Sequence, residues 1–405
     1  MSGGAAEPPW RWQLREALAA LPHERRRQLR SLEPAATGLL QAPGSAAPLL
    51  DLASNDYLGL SRHPAVLAAA AAELSASGLG AGASRLVCGT RPIHLRLEAE
   101  LAVWLGRERA LLFPSGFQAN LAAVVALADR HSLVVADRLI HHSLLAGVRS
   151  SGATLQRFAH NDPSDLERRL RIARRDRPDR RLLVLCESLY SMEGSSPPLA
   201  ALAALCARYG APLLVDEAHA LGVLGPGGRG LAQGLPEVAI VSGTFGKAFG
   251  SGGAFLACDG LVGDWLLQSS GAFRYTTALA PPLAAGALAA LHWLQVDSGV
   301  APALLARAER WRAALEAAGW PRPPGTGPIL SLRLGDDLTA LAAQERLAAA
   351  GLLALAIRPP TVPEGTARLR LVLRHGLPSG SLGRLLTALG PGPGSAPNPL
   401  PPSPG

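Results

Sequence analysis

The sequence predicts an α/β fold, in which a mostly parallel sheet is covered on both faces by helices and a smaller α+β domain follows. Two observations support this prediction. Between residues 64 and 260, helical patterns alternate with apolar runs of four to six residues, which is typical of strands buried on both faces. Residues 328–388 then read as strand, helix, strand, strand and helix, the order of a small α+β domain.

The chain has 405 residues and is long enough for two domains. We expect an N-terminal helix and arm, a large domain, a small C-terminal domain and a disordered tail rich in Pro, Gly and Ser, over 1–50, 51–290, 291–389 and 390–405. Within the arm, residues 1–9 are expected to be disordered, residues 10–31 to form a helix with a basic face, and residues 49–52 to form a short strand.

The elements of the large domain follow from the same periodicities. Helices are expected near 64–76, 91–105, 116–129, 142–151, 164–174 and 198–209. Strands are expected at 110–113, 133–136, 154–158, 182–187, 212–216, 239–243 and 253–257. A long helical region follows at about 281–317. Because it begins at Pro281 and Pro282 and carries His292 and Gln295, it is predicted to be helical without spanning a membrane.

The composition narrows the classes of function. The net charge is +8, but the arginines are scattered, aromatic residues make up 4% and no basic-aromatic motif occurs. We therefore expect attraction of anionic metabolites and no nucleic-acid binding. The four cysteines have no metal-ligand spacing, which predicts no metal site and a reducing compartment. No signal-peptide pattern is present at the N-terminus, so we expect a cytoplasmic protein without membrane association.

The chain contains a single lysine and 38 arginines. The lysine is Lys247, in the stretch Val-Ser-Gly-Thr-Phe-Gly-Lys-Ala-Phe-Gly at 241–250. Arginine replaces lysine on a solvated surface, but its guanidinium stays protonated and forms no Schiff base. If the bias toward arginine has removed every replaceable lysine, the remaining one is a candidate for covalent catalysis. The alternative is chance in a chain rich in Ala, Arg, Gly and Pro.

Polar side chains follow two successive predicted strands. Asp216 ends one strand, His219 follows three residues later, and Lys247 lies just beyond the next strand. Because ligands bind at the carboxyl ends of strands in an open parallel sheet, we expect these side chains to form a pocket. The combination suits a metal site, a general-base site or pyridoxal phosphate. The last requires a carboxylate at the pyridine nitrogen, a donor to the ring hydroxyl and an amine.

Three further strand ends carry candidate residues. The turn Ser115-Gly116-Phe117 opens a helix, and its free backbone N–H groups suit a phosphate; an ordinary helix cap is the alternative. His141 follows another strand and could stack on a flat ring, and Ser191 closes a further turn. A structural histidine and an ordinary serine turn are the corresponding alternatives.

Five motifs lie in order along the chain: Ser54-Asn55-Asp56-Tyr57-Leu58-Gly59-Leu60, the Ser-Gly-Phe turn, Asp-Glu-Ala-His at 216–219, Thr-Phe-Gly-Lys at 244–247 and Ile-Arg-Pro-Pro-Thr-Val-Pro at 357–363. Together they resemble the α-oxoamine synthase family of fold-type I pyridoxal-phosphate (PLP) enzymes. The resemblance covers about residues 14–388. It implies an aspartate aminotransferase-like fold, PLP as the cofactor and a homodimer with its active site at the interface.

The resemblance also implies a reaction. Residues 157–162 and 357–370 favour the biotin-pathway member, an acyltransferase that condenses L-alanine with a pimeloyl thioester of coenzyme A or a carrier protein and releases CO2. Residues 84–90 depart from a glycine-histidine segment that some members carry, which leaves the acyl chain length open. The alternatives are sister enzymes that use glycine, other fold-type I enzymes such as aminotransferases, and a non-catalytic binding subunit.

Roles for individual residues follow from the resemblance. Four are predicted to be catalytic: Lys247 bonds the cofactor and moves protons, Asp216 pairs with the pyridine nitrogen, His219 pairs with the ring hydroxyl, and His141 stacks on the ring and contacts substrate. The other predicted cofactor-binding residues act largely at the phosphate, the last of them at the phosphate in the partner subunit: Gly116, Phe117, Ser191, Thr244 and Thr277. The other predicted substrate-binding residues are Asn55 and Arg370, at the amino-acid carboxylate, with Arg30 and Thr361.

Overall fold

The computed structural model describes residues 8–45 and 47–393. The α-helices of this part are α1 (Pro9–Ala19), α2 (Pro64–Ser77), α3 (Pro92–Leu105), α4 (Gly116–Leu127), α5 (His142–Ser151), α6 (Pro163–Asp176), α7 (Leu199–Arg208), α8 (Gly260–Ser269), α9 (Gly271–Arg274), α10 (Pro281–Val296), α11 (Val300–Ala317), α12 (Asp337–Ala349) and α13 (Ser381–Leu389). The strands are β1 (Glu33–Pro34), β2 (Leu39–Gln41), β3 (Leu49–Asp51), β4 (Arg109–Phe113), β5 (Leu133–Asp137), β6 (Thr154–Phe158), β7 (Leu182–Glu187), β8 (Leu213–Asp216), β9 (Val238–Thr244), β10 (Ala254–Cys258), β11 (Ile329–Gly335), β12 (Leu352–Leu353), β13 (Leu355–Ile357) and β14 (Ala367–Val372).

The central sheet has seven strands in the order β4-β10-β9-β8-β7-β5-β6. Strands β5 to β9 run parallel, and β10 is antiparallel to both of its neighbours. This confirms the predicted α/β class and the mostly parallel sheet. Glu187 of β7 lies opposite Asp216 of β8, which lies opposite Ser242 of β9. The carboxyl ends of these strands therefore meet at one edge of the sheet.

Helices cover both faces of this sheet, as the continuous apolar strands predict. In β5, Val134 and Ala136 join a core cluster with α4 and α5, whereas Leu133 and Val135 join the cluster on the opposite face, with α6 and α7. Alternate residues of a strand point to opposite faces, so a strand covered on both sides is apolar throughout. Because the strands are held between two layers of helices, the polar residues at their carboxyl ends lie at a fixed position along one edge of the sheet.

The small C-terminal sheet has the order β11-β14-β13, and a further sheet pairs the N-terminal arm with the C-terminal part in the order β1-β2-β3-β12. Strand β3 is parallel to β12, with Leu50 opposite Leu352. The pairing brings the Ser54–Leu60 motif beside β14, where Arg370 lies. Two motifs more than three hundred residues apart therefore reach one site.

The local expectations were correct in part. The helix predicted for 10–31 ends at Ala19, because Pro22 supplies no backbone N–H and favours an extended preceding residue. The helical region predicted at 281–317 is confirmed, and it consists of two helices, α10 and α11. The Asp297 carboxylate accepts from the Val300 backbone N–H (2.9 Å) where the second helix begins. The hairpin β1–β2 and helices α8 and α9 were not predicted.

The predictions of disorder at the termini fall mostly outside the described residues. Pro9 begins α1, and Gly392 donates its backbone N–H to the Ala318 carbonyl (2.8 Å), so these two positions are ordered against the expectation. Between residues 8 and 393, leaving out residue 46, no helix is both long and apolar enough to cross a bilayer.

Candidate active site

A cavity of about 220 Å³ lies at the carboxyl edge of the central sheet and is called the inner cavity below. It is lined by Gly116, Phe117, Asn120, His141, Ser143, Glu187, Asp216, Ala218, His219, Ser242, Gly243, Thr244 and Lys247. Seven of the residues predicted at the sequence level are among them. The lining residues as a whole come from the ends of β7, β8 and β9 and from the first turns of α4 and α5, which the parallel sheet brings to one edge.

Lys247 lies in the turn after β9 and is half-buried. Burial lowers the pKa of its amine from 10.5 to about 8, although the nearby Asp216 carboxylate opposes the shift. A lysine with this pKa is partly neutral near physiological pH and can act as a nucleophile or base.

We expect the chemical reactivity of Lys247 in the cofactor-free protein to show this pKa. About half of an amine with a pKa of 8 is neutral at pH 8, against about 0.3% for an ordinary lysine. Acetylation of Lys247 by acetic anhydride, followed by peptide mass spectrometry, should therefore accelerate up to about pH 8 and level off above it. Because the two amines lie in different peptides, mass spectrometry separates the acetylation of Lys247 from that of the N-terminal amine. A rate that still rises tenfold per pH unit beyond pH 9 would contradict the lowered pKa.

Asp216 is fixed by hydrogen bonds to both carboxylate oxygens. Asn120 Nδ2 donates to Oδ2 (2.7 Å), and the Ala218 backbone N–H donates to Oδ1 (2.9 Å). The same Asn120 amide donates to Ser143 Oγ (2.9 Å) at the start of α5. These donors favour the charged carboxylate and fix its direction. Asn120 was not predicted as a site residue, although it lies one turn beyond the Ser-Gly-Phe turn on α4.

His219 is buried and belongs to a network that reaches Arg370. Tyr57 Oη lies 2.6 Å from His219 Nδ1 and 3.4 Å from Asn55 Oδ1, and Arg370 Nη2 donates to Asn55 Oδ1 (2.9 Å). Burial raises the pKa of Tyr57 to about 12, whereas burial and the charges of Lys247 and Arg370 hold the pKa of His219 well below its usual range. Both groups are therefore neutral at physiological pH.

The protons of this network can be placed from donor capacity. The Arg370 guanidinium faces the Tyr57 hydroxyl and can only donate to it. Of the two acceptors left for the hydroxyl hydrogen, His219 Nδ1 at 2.6 Å is much closer than Asn55 Oδ1 at 3.4 Å, so we assign the hydrogen to His219 Nδ1. A neutral imidazole that accepts at Nδ1 carries its own proton at Nε2. Arg370 also donates from Nε to the Ser191 carbonyl (2.6 Å), which ties the predicted substrate residues to the turn after β7. Tyr57 lies within a quoted motif but was not predicted to have a role.

His141 forms the N-cap of α5, with Nδ1 2.7 Å from Ser143 Oγ. The ring is exposed on one side, but the protein around it removes solvent and lowers its pKa, and the charge of Lys247 adds to this effect. Through Ser143 and Asn120, His141 belongs to the same chain of hydrogen bonds as Asp216.

Glu187 ends β7 and is a buried carboxyl group that the sequence reasoning missed. Its Oε2 accepts the Ser191 backbone N–H (3.3 Å), while Oε1 has no hydrogen-bond partner in the described structure. Burial, and to a lesser extent Asp216, raises the pKa of Glu187 well above its usual range. The group is therefore a neutral acid that faces the inner cavity with an unused polar atom.

The first turn of α4 provides an anion site at one wall. Ser115 caps the helix by accepting the Gln118 backbone N–H (3.3 Å), which leaves earlier N–H groups free. A Cβ at Gly116 would lie 3.7 Å from the Thr244 side chain, so these residues adjoin across the cavity wall. Thr244 Oγ1 accepts the Gly246 backbone N–H (3.2 Å) and donates to the Gly253 carbonyl (3.0 Å).

A larger cavity of about 600 Å³ adjoins the first and is called the outer cavity below. His141 lines both cavities, and the predicted residues Ser191 and Thr361 lie in the outer one. Arg27 Nη2 donates to Thr361 Oγ1 (3.2 Å). Asn55 and Arg370 bond to each other beside Tyr57, whereas Arg30 and Thr277 are exposed and line neither cavity.

Comparison with known proteins agrees with this architecture. The family model for aminotransferase class I and II matches residues 47–389. The 8-amino-7-oxononanoate synthase of Anaeromyxobacter sp. (strain K) is 43% identical over 367 residues, which cover 90% of this chain and 91% of that protein. Serine palmitoyltransferase from S. paucimobilis with bound PLP–myriocin matches with a TM-score of 0.84 and 26% identity, over 94% of this chain and 95% of that one.

A solved 8-amino-7-oxononanoate synthase from Francisella tularensis matches with a TM-score of 0.72 and 28% identity, over 84% of this chain and 96% of that one. These matches confirm the resemblance that the five motifs carry and the fold-type I architecture. The chain therefore belongs to the aminotransferase class I and II family of fold-type I PLP enzymes and, within it, to the 8-amino-7-oxononanoate synthases.

Proposed function

We propose that the inner cavity binds PLP and that the protein condenses L-alanine with a pimeloyl thioester to give 8-amino-7-oxononanoate, CO2 and the free thiol. The observation that carries this proposal is the position of the single lysine, whose lowered pKa leaves a reactive amine beside Asp216 and His219. The names of the relatives, which are 8-amino-7-oxononanoate synthases, support the choice of reaction.

The inner cavity fits PLP at each functional group of the cofactor. Lys247 offers an amine for the aldehyde, the Asp216 carboxylate suits a protonated pyridine nitrogen, and His219 offers an N–H for the ring hydroxyl. The free N–H groups at Gly116 suit the phosphate. Buried Asn120 Oδ1 and Glu187 Oε1 line the cavity without hydrogen-bond partners in the described structure, as expected of a cavity built around a polar ligand.

When bound, PLP supplies an electron sink that stabilises negative charge at the Cα of the amino acid. Asp216 keeps the sink effective because its fixed negative charge favours a proton on the adjacent ring nitrogen. Arg370 and Asn55 bind the alanine carboxylate, and the Tyr57 hydroxyl bridges this pair to His219. The carboxylate site and the ring site are therefore held in one hydrogen-bonded unit.

Lys247 would act as the base at the Cα of alanine, since its amine lies in the inner cavity and its lowered pKa is near physiological pH. His141, at the junction of the two cavities, would lie against the cofactor ring and is placed to supply a proton to the product. The thioester enters from the outer cavity, so that its carbonyl carbon meets Cα beside His141.

A second copy of the chain completes the proposed enzyme. Leu86, Val87, Phe117 and Tyr275 are large apolar residues with 46–79% of their surface exposed. The β-bridge between Ser84 and Thr277 joins the segments that carry Leu86, Val87 and Tyr275, and Phe117 lines the inner cavity. An apolar patch at this position suits a homodimer interface, from which Thr277 would reach the phosphate in the partner subunit. The four free cysteines, three of them buried, support a reducing cytoplasmic location.

A crossed substrate test separates this reaction from its alternatives. We expect CO2 release to be fastest with L-alanine and pimeloyl-CoA or a pimeloyl carrier protein when alanine and glycine are each paired with pimeloyl, acetyl and succinyl thioesters. Preference for glycine with a short thioester would show a sister synthase instead. Conversion of the cofactor to its amine form by an amino acid alone would show an aminotransferase.

A further inference from the structure

We propose that the outer cavity binds the phosphate of the acyl donor's pantetheine arm through Arg138, Arg149 and Arg157. The inference rests on the proposed function, because it concerns the thioester of that reaction. It adds a binding site made of three residues that neither the five motifs nor the predicted roles include.

The three arginines come from separate elements that converge on one cavity. Arg138 follows β5, Arg149 lies in the last turn of α5, and Arg157 lies on the edge strand β6. All three are exposed, and within the described parts of the chain none forms an ion pair. Arg157 Nη1 donates to the Arg138 carbonyl (3.0 Å), which braces the turn that carries Arg138.

The cavity therefore has an uncompensated positive charge. Its one carboxylate, on Glu193, is neutralised by Arg368, whose Nη1 donates to Glu193 Oε1 at 2.7 Å. Unpaired guanidinium groups around a concave surface attract anions, and their planar forks match the oxygens of a phosphate. Exposed arginines that serve only for solubility would not be expected to converge on one cavity without partners.

Two anionic groups of the acyl donor could bind the three arginines: the phosphate of the carrier and the distal carboxylate of the acyl chain. The connection between the two cavities favours the phosphate. The outer cavity meets the inner one at His141, where the thioester carbon reacts in the proposed function. Coenzyme A and a carrier protein are too large for these cavities, so the sulfur end of the donor leads outward to solvent. The three arginines line the outer cavity and are exposed to solvent. In either donor the pantetheine arm carries a phosphate at the end away from the sulfur, so an arm that leads outward through this cavity would bring that phosphate toward them.

The test measures binding without turnover, so that it can fail independently of the proposed function. Holoenzyme is titrated calorimetrically with coenzyme A, 4′-phosphopantetheine and pantetheine, which share the thiol arm but differ in phosphate. We expect coenzyme A to bind at least about tenfold more tightly than pantetheine. We expect Arg138→Gln and Arg149→Gln each to lower this ratio about threefold, because each removes one of three guanidinium groups. Arg171→Gln, an exposed arginine of α6 outside both cavities, is the matched control.

Each outcome has a defined meaning. Loss of affinity for both phosphorylated ligands supports a phosphate that coenzyme A and a carrier protein share, and loss for coenzyme A alone supports the phosphates specific to it. Equal binding of coenzyme A and pantetheine to the unaltered protein, or equal losses for the two ligands in the variants, would overturn the inference. If the binding ratio behaves as expected but the alanine and pimeloyl reaction fails, only the proposed function is wrong.

Discussion

Replacing Lys247 with arginine will abolish turnover, with an expected loss of at least about 10⁴-fold in kcat. Arginine keeps the positive charge but forms no covalent bond with the cofactor, and it cannot act as a base near pH 8. The residue is half-buried beside Asp216, so the substitution keeps the ion-pairing capacity of the site and removes only its amine chemistry. Steady-state CO2 release with saturating alanine and pimeloyl-CoA measures the effect.

Chemical rescue distinguishes a positioned amine from a structural role. Lys247→Cys in a Cys88→Ser background, treated with 2-bromoethylamine, restores a side chain with an amine at nearly the length of lysine. Cys88 is the exposed cysteine, while Cys186, Cys206 and Cys258 are buried and protected. We expect the treated variant to regain activity and the treated Cys88→Ser protein to show no change. Activity of a rigorously pure Lys247→Arg sample would refute the role of Lys247.

Asp216→Asn should lower kcat by about 10²–10⁴-fold, while part of the cofactor still binds. The substitution keeps the size of the side chain but removes the negative charge that holds a proton on the ring nitrogen. It also replaces an acceptor of the Asn120 hydrogen bond (2.7 Å) by a group that carries donors. The measurement is single-turnover loss of the alanine Cα deuterium, together with cofactor content.

A paired swap separates the charge from the hydrogen bond. In the double variant Asn120→Asp/Asp216→Asn, the amide and the carboxylate exchange places and their hydrogen bond is retained, but the charge moves off β8. We expect this variant to fold and to remain as slow as Asp216→Asn. Recovery to near the unaltered rate would show that Asp216 acts through the hydrogen bond and not through its charge at the ring.

The central sheet could be predicted because burial on both faces leaves a strong signal in each strand. Leu182–Glu187 is buried at every position and has the bounds expected from the sequence, since Arg181 and Ser188 on its flanks are polar. The antiparallel direction of β10 could not be predicted, because an apolar strand buried on both faces looks the same in either direction. In the arm, the prediction relied on the basic helical pattern of 10–31 and gave too little weight to Pro22, so it missed the end of α1 at Ala19.

The candidate site was predictable where residue type alone restricts the chemistry. Lys247, Asp216 and His219 fall on neighbouring strand ends, and the parallel sheet brings them to one cavity. Tyr57 and Glu187 were missed for a physical reason: a tyrosine in a turn and a glutamate at the end of an apolar strand are ambiguous until the fold shows which hydrogen bonds they make or lack. The pairing of Asn55 with Arg370 likewise depends on the contact of β3 with β12, to which no local pattern points.

The most direct test of the account is to find the side chain that holds the cofactor. The purified protein is saturated with PLP, reduced with borohydride, cleaved after arginine and analysed by mass spectrometry. The account predicts one pyridoxyl group per chain, on Lys247, within the peptide that runs from residue 230 to residue 274. Because the chain has no other lysine, the result is unambiguous. An unmodified Lys247 peptide from a protein that has turned over alanine and pimeloyl thioester would contradict the central claim.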